Sequence, residues 1–197
     1  MKPTCKWQDQ KCQNDLWIEK RFDYQSQSLV PIKFSMIRFI ITECLDIKKP
    51  ISVLDIGGGD GGLYRQLKDL EISKYVYCDI APEAARRFQE TLPNIPPFLD
   101  IRICDINKEK FENRFSIICI AGFVINMYEP ELLLSMYKDN IEKNGLLIIE
   151  CTNFDFNNNE LDKLFPELTY RVDYNIYQKE LANEKHIPFR TIRAMKG

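Results

Sequence analysis

Between residues 51 and 151 the chain alternates two kinds of apolar pattern. One kind is a short run that is apolar nearly throughout: 51–56 (ISVLDI), 74–80 (KYVYCDI), 99–106 (LDIRICDI), 115–122 (FSIICIAG) and 146–152 (LLIIECT). Such runs suit central strands of a parallel sheet, which are buried on both faces. The other kind repeats at helical spacing. Leu63, Leu67 and Leu70 form one stripe in 62–70, and prolines at 82 and 130 open the helical patterns 82–92 and 130–141, as proline does in a first turn. Asn144-Gly145 turns the chain into the fifth strand. Upstream, 13–24 reads as a short helix carrying Leu16, Trp17 and Phe22. A stronger helix over 31–47 starts at Pro31 and places Phe34, Ile37, Ile41 and Leu45 on one face. A further helix is expected around 159–165.

Strand-helix alternation predicts an α/β fold, a doubly wound and mostly parallel sheet. The end differs. Two strand-like runs, 169–180 and 187–196, are separated only by LANEKH. A connection that short holds no crossover helix, so an antiparallel C-terminal hairpin is expected, giving seven strands. Two regions follow: 1–49, N-terminal helices that either pack on the sheet's helices or serve as a lid, and 50–197, the sheet domain.

Length changes little in this picture; 197 residues suit one core. The N-terminus has no apolar stretch of a signal peptide, and no run is long enough to span a bilayer, so a cytoplasmic protein without a membrane partner is expected. Seven cysteines without C-x-x-C spacing read as reduced and buried, and one histidine is too few for a zinc site, so no metal is expected. A net charge of -2 argues against nucleic acid as partner.

The candidate chemistry lies in VLDIGGGDGGL, residues 53–63. Gly57, Gly59 and Gly62 satisfy the G-x-G-x-x-G of dinucleotide binding, whereas Asp55, Gly57, Gly59 and Gly61 satisfy D-x-G-x-G-x-G. Both patterns bring a backbone close to a ligand at the switch point of the sheet. The carboxylates discriminate. Asp55 and Asp60 would repel a pyrophosphate but favour the ammonium and sulfonium of S-adenosylmethionine. Asp79, ending the second run, suits a ribose diol, a role common to both cofactor types. Asp105, near the end of the third, suits an adenine amino group, with Ile106 against the ring.

With these acids in register, the chain resembles the class I S-adenosylmethionine-dependent methyltransferases, from about residue 50 to 155. VLDIGGGDG is similar to the family's first motif, VYCDIAPEA to its second, RICDIN to its adenine-contacting motif, and FSIICIAGFVINMY to its fourth-strand segment. The resemblance implies a Rossmann-like sheet with a reversed last strand, S-adenosyl-L-methionine as cofactor, and a cofactor site of Asp55, Gly57, Gly58, Gly59, Asp60, Gly61, Asp79, Ile80, Asp105, Ile106, Ala121 and Gly122.

The acceptor leaves fainter marks. No Asn/Asp-Pro-Pro-Tyr follows the fourth run, and Ala121 stands where ribose methyltransferases keep an acid. Asn126 and Tyr128 are the polar candidates over the methyl group, with helix capping and rim packing as equal alternatives. Trp17, Tyr24, Phe123 and Asn153 are candidates for the acceptor wall; packing and loop chemistry explain them as well. His186, in the terminal loop, is read as an exposed loop residue. A small-molecule O or N nucleophile is the expected acceptor. The competing readings are a cofactor-binding, non-catalytic or partner-activating subunit, and an NAD(P)-dependent oxidoreductase.

Overall fold

A computed structural model of the chain describes residues 9–19, 29–45, 48–121, 137–151, 170–176 and 190–196. It opens with α1 (Gln10–Ile18) and α2 (Leu29–Cys44). The alternating region follows as β1 (Ile51–Ile56), α3 (Gly62–Leu67), β2 (Ile72–Asp79), α4 (Pro82–Glu90), β3 (Leu99–Ile103) and β4 (Phe115–Ile120). A short 3-10 turn (Lys138–Asn140) leads into β5 (Ile141–Cys151), and β6 (Tyr170–Ile176) and β7 (Arg190–Lys196) complete the described chain.

The described strands form one sheet of order β3-β2-β1-β4-β5-β7-β6. β1 pairs in parallel with β2 and β4, β2 with β3, and β4 with β5. β7 runs antiparallel to both β5 and β6, so β6 points the same way as the first five strands. The fold class is therefore the mostly parallel α/β sheet that the alternation predicts.

Several elements differ from their expected bounds for local reasons. α1 begins at Gln10 rather than 13 because the Asp9 carboxylate caps it, accepting from the Cys12 amide at 3.2 Å. β5 begins at Ile141 rather than Leu146. Phe115 pairs with Ile141 but Ile117 pairs with Leu146, so the extra residues bulge out around Asn144 (φ 63°) and Gly145. β3 stops at Ile103, leaving Cys104 and Asp105 in the following turn. Most of the helix expected over 130–141, the one near 159–165 and His186 lie outside the described residues.

Two apolar layers sandwich the sheet. Ile37, Ile40 and Ile41 of α2, Leu63 and Leu67 of α3, and Phe88 of α4 pack on Val53, Tyr75, Tyr77, Ile117 and Ile148. The opposite face carries Leu54, Ile56, Val76, Ile118, Ile120 and Leu147, with Ile106, Phe115 and Tyr137 over them. β1, β2, β4 and β5 contribute alternate residues to the two layers, which is why these strands read as continuously apolar. No described helix is long and apolar enough to cross a membrane.

The cysteines depart from the expectation of a wholly reduced set. Among the described cysteines, Cys44, Cys78, Cys104 and Cys119 are outside any disulfide, Cys78 and Cys119 buried in the sheet, but Cys12 on α1 is disulfide-bonded. A thiol on a half-buried helix is not sequestered by the core, so pairing is open to it. Thiol titration in denaturant should accordingly count fewer than seven thiols before reduction and all seven after; seven in the unreduced protein would contradict the bond.

Candidate cofactor site

The parallel strands bring their carboxyl ends to one edge. Ile56 at the end of β1 is level with Cys78 of β2 and Ile120 of β4, and Asp79 is level with Ile103 of β3. The chain leaves β1 towards β2 and β3, then returns on the other side at β4. Such a reversal opens a crevice beyond the strand ends. The structure gathers there the loop 57–61, Asp79, Ile80, Asp105 and Ala121.

The loop is held from within. The amides of Gly57 and Gly58 both donate to the Cys78 carbonyl, at 2.8 and 3.1 Å. The Gly61 amide donates to the Gly58 carbonyl at 3.0 Å, and the Gly59 amide to Asp79 Oδ2 at 2.9 Å. Four loop N–H groups are thus spent inside the protein. Gly61 has no substitute: its φ is +80°, and a Cβ there would lie 2.1 Å from the Phe88 ring. A Cβ at Gly58 would meet the Tyr77 ring at 2.4 Å. The Tyr77 hydroxyl donates to the Gly59 carbonyl at 2.6 Å.

Each carboxylate has its own compensation. Asp55 is not at the tip of β1 but one residue inside it, fully buried, and the Tyr75 hydroxyl donates to its Oδ2 at 2.7 Å. Burial pushes its pKa up to about 7, a rise opposed by the Tyr75 bond, increased by Asp79 and reduced by Lys33. Burial also holds both tyrosine hydroxyls well above their ordinary range. Asp60 is buried too, and its Oδ1 lies 3.0 Å from Nη2 of Arg65, which also donates from Nη1 to the Asp60 carbonyl. Asp79 ends β2. Its Oδ1 accepts from the Ala81 amide at 2.9 Å while Oδ2 accepts from Gly59. Burial raises its pKa against these amide bonds. Asp105 accepts at Oδ1 from the backbone and side-chain nitrogens of Asn107, both at 3.1 Å, and its Oδ2 is 3.1 Å from Lys108 Nζ.

The apolar candidates separate. Ile80 is half-buried and Ala121 buried at the edge. Ile106 is packed in the second apolar layer, and its carbonyl accepts from the Tyr137 hydroxyl at 2.6 Å; its side chain serves the core. Trp17 is buried against Ala81 and Ala84, its ring 3.4 Å from where a Cβ on Gly59 would stand. Tyr24, Gly122, Phe123, Asn126, Tyr128 and Asn153 lie outside the described residues.

Sequence reasoning missed the two tyrosines, Arg65 and one buried ion pair. Tyr75 and Tyr77 share the face of Asp79 by strand period, a signal present in K-Y-V-Y-C-D. Arg65 stands five residues after Asp60, within reach only once the loop folds back. Lys33 Nζ of α2 lies 3.0 Å from Glu150 Oε2 of β5, both buried, and 117 positions separate them.

These residues fit an adenosine-type cofactor. An ionised carboxylate accepts about four hydrogen bonds, and the Asp79 oxygens keep positions for two hydroxyl donors after serving Gly59 and Ala81. With four of its five amides spent, the loop has few N–H groups left for a pyrophosphate. This replaces the charge argument, which Arg65 and the raised Asp55 pKa weaken.

The family model described as "Methyltransferase domain" matches residues 34–197. The chain belongs to the methyltransferase-domain family. Its fold neighbours include the magnesium protoporphyrin IX methyltransferase of Synechocystis with bound S-adenosylmethionine, 11% identical at TM-score 0.68 over 100% of both chains. The plantazolicin methyltransferase in complex with S-adenosylhomocysteine is 15% identical at TM-score 0.64, covering 91% of this chain and 89% of that one. Among curated proteins, polyamine aminopropyltransferases of Thermoanaerobacter pseudethanolicus and a second Thermoanaerobacter are 27% identical over 139 residues, 61% of this chain and 49% of theirs. The chain therefore spans about half the length of the curated relatives it matches.

The raised pKa of Asp55 makes a prediction for this methyltransferase-family chain. Protonated Asp55 is bound more tightly in the folded state, so its favourable contribution is complete below about pH 4 and is lost as pH rises through about 7. Asp55→Asn, which keeps an acceptor for Tyr75, should gain stability relative to the parent across that window, by up to roughly 4 kcal/mol. Thermal unfolding of both proteins from pH 4 to 8 checks it; a pH-independent difference would refute the assignment.

Proposed function

We propose that this chain is an S-adenosylmethionine-dependent methyltransferase acting on an O or N nucleophile of a small molecule. The observation that carries the reading is Asp79: a carboxylate at the switch point, oriented by two amides, with acceptor positions left for a vicinal diol. Asp79 would hold the ribose, Ile80 would lie beside the base, and Asp105 would accept from its amino group. The loop 57–61 would pass under the amino-acid end, kept close to the ligand by glycines that leave no side chain in the way.

S-adenosylmethionine, when bound, supplies a sulfonium methyl carbon already activated for displacement. The protein's part is then alignment and exclusion of water, and a general base is needed only where the acceptor retains its proton. Asn126 and Tyr128 remain the candidates for orienting the acceptor. We assign residues 1–49 to a lid and 50–197 to the cofactor-binding domain, with Trp17 in the wall.

The aminopropyltransferase relatives support a second reading, transfer of an aminopropyl group. The family model and the fold neighbours favour methyl transfer, which is preferred.

Thermal shift separates the readings. At about 100 times the dissociation constant, a native-state ligand adds roughly 2.7 kcal/mol. S-adenosylhomocysteine should raise the melting temperature and NAD should not; a shift with NAD alone would return the chain to the oxidoreductases. Asp79→Ala should weaken S-adenosylhomocysteine binding by about 100-fold or more, two charge-assisted bonds being lost. Its ligand-free melting point must be compared separately, since Asp79 also serves two amides. Methylation of no acceptor despite tight binding would favour the non-catalytic subunit.

A further inference from the structure

We infer that Arg87 is a positioning residue: it clamps Trp17 of α1 against the glycine loop, so that cofactor affinity depends on the docking of α1. The inference rests on the proposed function and concerns residues that no motif includes.

α1 is short. Its nine residues are too few for a stable isolated helix, and it buries only Gln13 and Trp17. Its last turn has no basic residue of its own to meet its terminal carbonyls. The cation comes from α4 instead. Arg87 Nη2 donates to the Trp17 carbonyl at 2.7 Å, and the same guanidinium lies 5.6 Å from the centre of the Trp17 ring. Glu83, one turn earlier on α4, accepts from Arg87 Nε at 3.0 Å and fixes its direction. The Glu83 amide in turn donates to Asn14 Oδ1 of α1 at 2.7 Å. Two ties, both involving Glu83, therefore join α1 to the start of α4.

What the clamp delivers is the indole. Trp17 rests on Gly59, Ala81 and Ala84. Gly59 and Ala81 are the two residues whose amides orient the Asp79 carboxylate. A shift of the indole is thus felt by both donors to the proposed ribose ligand. A helix too short to be stable alone depends on such docking, which couples its position to a ligand of the loop.

The test uses the full chain in a Trp7→Phe background, leaving Trp17 as its one tryptophan, with Trp17→Phe as the blank. Trp17 emission is followed during titration with S-adenosylhomocysteine. We expect the ligand to change the emission. Arg87→Ala should shift the ligand-free emission to the red and raise the dissociation constant by about 5- to 50-fold, within the ordinary range of coupling. Asn14→Ala should act in the same direction through the other tie. Far-UV circular dichroism should show both variants folded, with the sheet's melting point nearly unchanged. Unaltered affinity in both variants, or a red shift without loss of affinity, overturns the inference while leaving the cofactor reading intact. No binding by the parent itself overturns both.

Discussion

Two amides converge on one carboxylate, and much of the site depends on that convergence. Asp79 stands at the last position of β2. Through Gly59 it fixes the turn that follows β1, and through Ala81 it fixes the residue that caps α4. One side chain therefore sets the loop, the strand end and the helix start in a common frame. Burying a carboxylate is costly unless hydrogen bonds replace its water. Here the amide donors come from structure that the carboxylate itself organises, so loop and acid are stable only together.

Beneath the loop lies a run of aromatic rings. Tyr75 meets Tyr64 edge-on with centroids 5.2 Å apart, Tyr64 meets Phe88 at 5.3 Å, and Phe88 meets Tyr77 at 5.0 Å. Edge-on and tilted pairs at these separations are favourable beyond the area they bury. The rings fill the volume that side chains at 58 and 61 would need. Part of the glycine pattern is therefore imposed from inside, by packing of β2 and α4, and only part by a ligand outside. Arg87 and Trp17 extend the same logic to the outer side, where an indole lies against Gly59.

This division explains how much could be read from the chain. The parallel sheet was legible because buried strands write themselves as unbroken apolar runs, and the strand ends were legible because glycines and acids follow them. Asp79 and the loop needed no more than that. Asp55 misled, since its side chain faces the α2 layer and Tyr75, and no local signal tells a carboxylate pointing into a core from one pointing at a ligand. Ile106 misled in the same way: a turn residue on the sequence, it is a core residue in space. The Lys33–Glu150 pair was illegible, because only the sheet and α2 together bring those positions within 3.0 Å. β5 began early because Asn144-Gly145, which reads as a turn, is absorbed as a bulge within the strand.

The pairing of charges around the edge identifies the ligand better than their number does. Asp60 is answered by Arg65, Glu150 by Lys33, and Asp105 by Lys108. Asp55 is answered by the tyrosine hydroxyl and, near neutrality, by its own proton. Among these described carboxylates, Asp79 is the one held by neutral backbone amides, those of Gly59 and Ala81. Amides orient a carboxylate without cancelling its charge, so it still repels an anion and still attracts O–H donors. A pyrophosphate would meet that charge beside a loop four of whose five amides are already spent. An adenosine ribose would meet the same charge with two hydroxyls, whichever cofactor carries it. The preference for a ribose-bearing cofactor thus follows from which partners are left, a property of the folded edge that a count of aspartates cannot supply.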